Sequence, residues 1–140
     1  MITASLVTSA SADEIWKIWT DVEKSIEWDT DVASSKLKGP FLVGTQGEFK
    51  LKDGPTFSFT LDEVLYKQQY RNTVRKFGLN LTFDHQIKPI TDDQNMITHS
   101  VIVSGPLGKI LKPILEPKLK RALSQSLKQM LNLAEKKLND

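Results

Sequence analysis

The chain has 140 residues, 39% hydrophobic and 26% charged, with no cysteine, two histidines and a formal net charge of +2. That composition fits one globular domain spanning residues 1–140 and is far from disordered or membrane compositions. It excludes a disulfide framework and a thiolate metal site, and two histidines alone argue against a zinc site; the expectation is no metal and no cofactor.

The opening Met-Ile-Thr-Ala-Ser lacks a basic segment followed by an apolar run, and no stretch reaches 18 consecutive apolar residues. The expectation is a cytoplasmic protein without stable membrane insertion. Charge divides unevenly: residues 1–108 carry 11 Lys/Arg against 14 Asp/Glu, and residues 109–140 carry 8 against 3. The basic part is therefore one segment, either the solvated face of a helix or a surface for nucleic acid or an anionic membrane, and the solvated face is the leading expectation.

Residues 2–8, ITASLVT, read as a first strand. Ser11 to Glu14 then forms a capping box. Ile15, Trp16, Ile18 and Trp19 give the helix that follows an apolar stripe, and a second short helix is predicted over Val22 to Trp28. Six strands follow, at 30–37, 45–51, 56–65, 69–77, 79–88 and 95–104. Their turn-rich, short connections imply an antiparallel meander. Gly105-Pro106-Leu107-Gly108 ends the sheet. Pro113 and Pro117 predict a short helical piece followed by a main helix from about Glu116 to Leu138. Along it Leu119, Leu123, Leu127, Met130, Leu131, Ala134 and Leu138 form a broad apolar arc that needs covering. The α+β solution is a curved seven-stranded antiparallel sheet wrapped around the long C-terminal helix.

Two strands hold both histidines. Leu79, Leu81, Phe83, His85 and Ile87 share one face, and Ile97, His99, Val101 and Val103 share another. A hairpin turning about Asp92 sets His85 opposite His99, at roughly 5 Å between Cα atoms. Burial and mutual proximity both favour neutral rings. The pair reads as satisfied core residues or as a polar patch that orients the polar end of a ligand. Phe57 and Phe59 share the apolar face of their strand. On 69–77 neither face is clearly apolar; if the set with Phe77 points inward, Arg75 can meet a ligand carboxylate or phosphate, and otherwise it is a surface arginine.

No phosphate-cradling glycine loop, metal-binding helix motif or serine nucleophile elbow is present. The basic residues of the terminal helix are not interleaved with aromatics, so nucleic acid is not an expected partner.

Several features recur in order along the chain: Ser9-Ala10-Ser11-Ala12-Asp13-Glu14-Ile15-Trp16, then Asp21-Val22, Trp28-Asp29, Gly39-Pro40-Phe41, Val43-Gly44-Thr45-Gln46-Gly47 and Gly105-Pro106-Leu107. In these the chain resembles the START-like helix-grip superfamily (SRPBCC), in its polyketide cyclase/dehydrase and lipid-transport branch. The resemblance implies a helix-grip fold with a deep cavity for a hydrophobic or amphipathic small molecule such as a lipid, polyketide or quinone. Trp28 would border that cavity, unless its indole only packs the helix pair against the sheet.

The candidate ligand-binding set is Trp28, Phe57, Phe59, Arg75, Leu81, Phe83, His85, His99, Leu119, Leu123 and Met130, with Pro106 to Pro117 as a gate. The leading expectation is binding without catalysis. Alternatives are a cyclase or dehydratase using a cavity histidine as acid or base, and an interaction protein that docks through its basic C-terminal helix.

Overall fold

The computed structural model describes residues 1–139, with side chains through residue 136. Strand β1 (Ile2–Thr8) leads to helix α1 (Ala12–Thr20) and a 3-10 helix (Val22–Glu27). Strands β2 (Val32–Leu37), β3 (Gln46–Leu51), β4 (Thr56–Leu65), β5 (Gln69–Lys76), β6 (Leu79–Thr91) and β7 (Gln94–Ser104) follow, and helix α2 (Pro106–Asn139) closes the chain. The seven strands form one antiparallel sheet in the order β1-β7-β6-β5-β4-β3-β2. A meander thus runs from β2 to β7, and β1 adds to its far edge. The α+β helix-grip architecture is as predicted.

Local chemistry sets the entry to α1. The Ser11 hydroxyl accepts the Glu14 N–H at 3.2 Å, as the capping box requires. Ile15, Trp16, Ile18 and Trp19 are all buried. Their stripe turns α1 onto the core.

The alternation read from β6 and β7 holds in register, with His85 opposite His99, Phe83 opposite Val101 and Ile87 opposite Ile97. The concave face also takes Tyr70, Asn72 and Val74 from β5, because they pair with His85, Phe83 and Leu81. The outer face is polar. Gln69 and Gln86 donate to the buried carboxylate of Asp84 at 2.8 and 2.9 Å, and Arg71 approaches it at 3.5 Å.

Gly47 occupies a close approach between β2 and β4. A Cβ there would lie 2.7 Å from the Lys36 carbonyl oxygen and would strike the Phe59 ring. Replacing Gly47 with alanine should cost about 1–3 kcal/mol of stability through overpacking. An unchanged urea midpoint would mean that β3 yields without cost.

The terminal helix departs from the predicted break. Pro113 and Pro117 both lie inside one continuous helix. They are one turn apart and exposed, as is Lys109. The carbonyls of Lys109 and Pro113, deprived of helical donors, can be met by water. The apolar arc is buried as expected at Leu123, Leu127, Met130, Leu131 and Ala134, with Leu119 half-buried. The Leu138 side chain lies outside the described residues. The helix rests mainly on β1 and β7 and touches β6 and α1.

Candidate functional site

The concave face divides into a deep end and a shallow end. At the deep end, α1 and the turn before β2 bring Trp19 and Trp28 onto the histidine pair. Their rings lie 5.8 and 5.9 Å from His99, and the two imidazoles are 4.9 Å apart. His85 stacks on Tyr70 with centroids 3.9 Å apart and planes 7° from parallel. Phe41 packs edge-on against the same tyrosine at 5.1 Å.

His85 Nδ1 lies 3.4 Å from the Tyr70 carbonyl oxygen. A carbonyl only accepts, so this contact assigns the His85 proton to Nδ1. Burial lowers the His85 pKa to about 3. Burial, and then the neighbouring His85, hold His99 well below the usual range. Both rings are neutral at pH 7. Burial raises the Tyr70 phenol, helped by the nearby Asp29 carboxylate. Asp29 is raised to about 6, first by burial and then by Asp31. Trp19 Nε1, Trp28 Nε1 and His99 Nε2 are buried without a hydrogen-bond partner among the described residues. The floor of the face is thus an aromatic block with polar atoms embedded in it.

At the shallow end, Leu81 and Phe83 pack with Leu119, Leu123 and Val101. Beyond the main footprint of α2, Phe57 and Phe49 lie 5.5 Å apart and are half-buried. Lys76 reaches over this wall, its Nζ 5.1 Å from the centre of the Phe57 ring. Asn72, also half-buried, lies between Leu61 and Phe83 in the ladder.

Ten of the eleven predicted site residues face this concave side. Trp28, Phe59 and Met130 are buried in the main core beside His85 and His99, with Phe57 half-buried against it; Leu119 and Leu123 belong to a second cluster, and Leu81 and Phe83 pack against both. Arg75 does not join them. It is exposed on the outer face, 3.5 Å from Asp62, because Tyr70 and Val74 take the inward register of β5. The expected deep cavity at the histidines is replaced by packed indoles. Two shallow clefts lie away from the histidines. One of about 280 Å³ runs between β1 and α2 along Thr3, Leu6, Lys120 and Ser124. Another of about 220 Å³ lies on β2 and β3.

The predicted set omits Tyr70, Trp19 and Asp29, which shape the deep end. The apolar pair Tyr70 and Val74, four residues apart on β5, was the signal for its inward face.

No protein-family model matches the chain, and no curated protein matches it in sequence. Solved structures match its fold. ZhuI aromatase/cyclase from Streptomyces sp. R1128 superposes with a TM-score of 0.77 at 12% identity, over 98% of this chain and 94% of that one. The protein XoxI from Bacillus cereus gives 0.75 at 18%, over 94% and 92%. Norcoclaurine synthase from Thalictrum flavum, solved in complex with dopamine and hydroxybenzaldehyde, gives 0.72 at 16%, over 96% and 86%.

Proposed function

We propose that this helix-grip chain binds a hydrophobic or amphipathic small molecule on the shallow half of its concave face, beside the first half of α2. One observation carries this reading: Phe57, Leu81 and Phe83 of the concave face are left partly exposed, and Lys76 overhangs the Phe57 ring. An apolar wall with a few polar groups at one end is the common form of a small-molecule site. The ligand's apolar body lies on the phenylalanines, and an anionic or acceptor group meets Lys76 or Asn72. The fold supports the reading, since norcoclaurine synthase was solved with dopamine and hydroxybenzaldehyde bound. Lipids, polyketides and quinones are the ligand classes of suitable chemistry.

Binding is favoured over catalysis by a cavity histidine. A general acid or base needs its nitrogen within hydrogen-bond reach of substrate. Here His85 and His99 are enclosed by Trp19, Trp28 and Tyr70.

Titration with 1-anilinonaphthalene-8-sulfonate, an aromatic amphiphile with an anionic end, tests the site. Phe57→Ser should weaken binding about tenfold, as expected for losing ~1.5 kcal/mol of apolar contact. Lys76→Gln should weaken the sulfonate more than a neutral naphthalene. Affinity unchanged in both variants would overturn the assignment.

A further inference from the structure

The turn between β5 and β6 is built at a cost that the fold itself does not require. Phe77 and Gly78 both have positive φ, at 51° and 80°. Two-residue hairpin turns of this type favour Asn, Asp or Gly at the first position, and a bulky side chain there is strained. Phe77 gains little packing in return, since 87% of it is exposed and its one ring contact among the described residues is the Lys76 ammonium at 5.8 Å. Strain kept on an exposed aromatic points from structure toward function.

The tip does not stand alone. The Leu107 N–H donates to the Gly78 carbonyl at 3.0 Å, which fixes the first turn of α2 against it. Along that turn Leu107, Ile110, Leu111, Ile114 and Leu115 recur at amphipathic helix spacing. The leucines are half-buried, whereas Ile110 and Ile114 are 71% and 73% exposed. The apolar stripe is therefore wider than its cover. Charge around it is mainly basic: Lys109, Lys112 and Lys118 make no ion pair among the described residues. Glu116 is the single acid between residues 105 and 121.

We propose that the β5–β6 tip and the first turns of α2 dock this chain reversibly on an anionic lipid surface. Phe77, Ile110 and Ile114 enter the boundary between headgroups and acyl chains, and the lysines lie among anionic headgroups, their stems following the apolar surface. Charge complementarity and size select this occupant. Three projecting side chains are too little area for a stable protein interface, which buries about 1,200 Å² or more. They suffice for interfacial binding assisted by juxtaposed lysines. The surface borders the ligand wall, since Lys76 Nζ lies 5.1 Å from the Phe57 ring and 5.8 Å from the Phe77 ring, but Phe77, Ile110 and Ile114 are not part of that wall.

Co-sedimentation of the whole chain with phosphatidylcholine vesicles, with and without phosphatidylserine, tests the proposal. Binding is expected only with phosphatidylserine and should fade with added salt. Lys109→Gln and Lys118→Gln should each lower the partition coefficient about fivefold, and Lys112→Gln, on the far side of the helix from Ile110 and Ile114, should do less. The combination Phe77→Ser, Ile110→Ser and Ile114→Ser should abolish binding, whereas Phe57→Ser, which weakens sulfonate binding at the concave face, should leave vesicle binding in place. Phe77→Asn should weaken docking and raise Tm, because it relieves the turn. Equal binding to neutral vesicles, or no binding to anionic ones, would overturn the proposal. So would a dimer in sedimentation equilibrium that the triple variant dissolves, since that result assigns the surface to a second copy of the chain.

Discussion

Replacing Trp19 with alanine should lower the free energy of unfolding by about 3–5 kcal/mol, the range for deleting a buried aromatic. Trp19 is 1% exposed, and its ring meets those of Trp16, Tyr70, His85 and His99 at 6.3, 5.5, 5.6 and 5.8 Å. No neighbour can take its place, because each is held by its own strand or helix. Domains of this size have only about 5–15 kcal/mol to lose, so the variant should be marginal. Trp19→Phe keeps most of the contact and should fold. The alanine variant should also acquire a property that the parent lacks. The emptied space is lined mainly by rings, and added indole should raise its Tm by mass action while leaving the parent unaffected. Urea unfolding with an unchanged slope measures the loss. A loss below ~1 kcal/mol, or no response to indole, would mean that the deep end collapses around the missing side chain.

Acid should destabilise the protein, and Asp29 should oppose the effect. His85 and His99 stay neutral in the fold while their unfolded counterparts protonate below about 6.5. Each therefore lowers stability by about 1.4 kcal/mol per pH unit as pH falls below that value. For His85 the loss continues toward its folded value of about 3. Asp29 has the opposite sign. Its folded pKa is raised to about 6 from 3.8, so the fold keeps a proton that the unfolded chain has released. Its stabilisation is complete below 3.8 and disappears as pH rises through about 6. Between about pH 6 and pH 4, two losses against one gain leave a net fall near 1.4 kcal/mol per unit. Asp29→Asn should raise stability at neutral pH, by removing a poorly solvated carboxylate, and should double the acid slope. His85→Phe should keep the ring on Tyr70 and remove one histidine's share. Urea midpoints at several pH values check both variants, and slopes identical to the parent would contradict the assignment of these protons.

The pairing of His85 with His99 was legible because two neighbouring strands alternate cleanly and one short turn sets their register. β5 was not legible in this way. Arg71 and Arg75 find their carboxylates, Asp84 and Asp62, on neighbouring strands 13 residues away, while Asn72 and Lys76 dilute the inward face. Charge on both sides hides the period, and Arg75 was drawn inward with it. The proline break in α2 failed for a similar local reason, since the residues concerned face solvent. The deep cavity failed because volume is a three-dimensional sum. Trp19 and Trp28 sit far from the histidines in sequence, and only the way α1 and the turn before β2 lay them on Tyr70, His85 and His99 shows that indoles fill the space beside the pair.

Methyl chemical-shift mapping with 1-anilinonaphthalene-8-sulfonate tests the binding account most directly. The methyls of Leu81, Leu119, Val74 and Val103 should shift with a single saturable affinity, while those of Ile110, Ile114 and Leu42 stay in place. Shifts confined to Leu6 and Leu127, which line the outer cleft between β1 and α2, would contradict it. So would the absence of any saturable shift on the concave face.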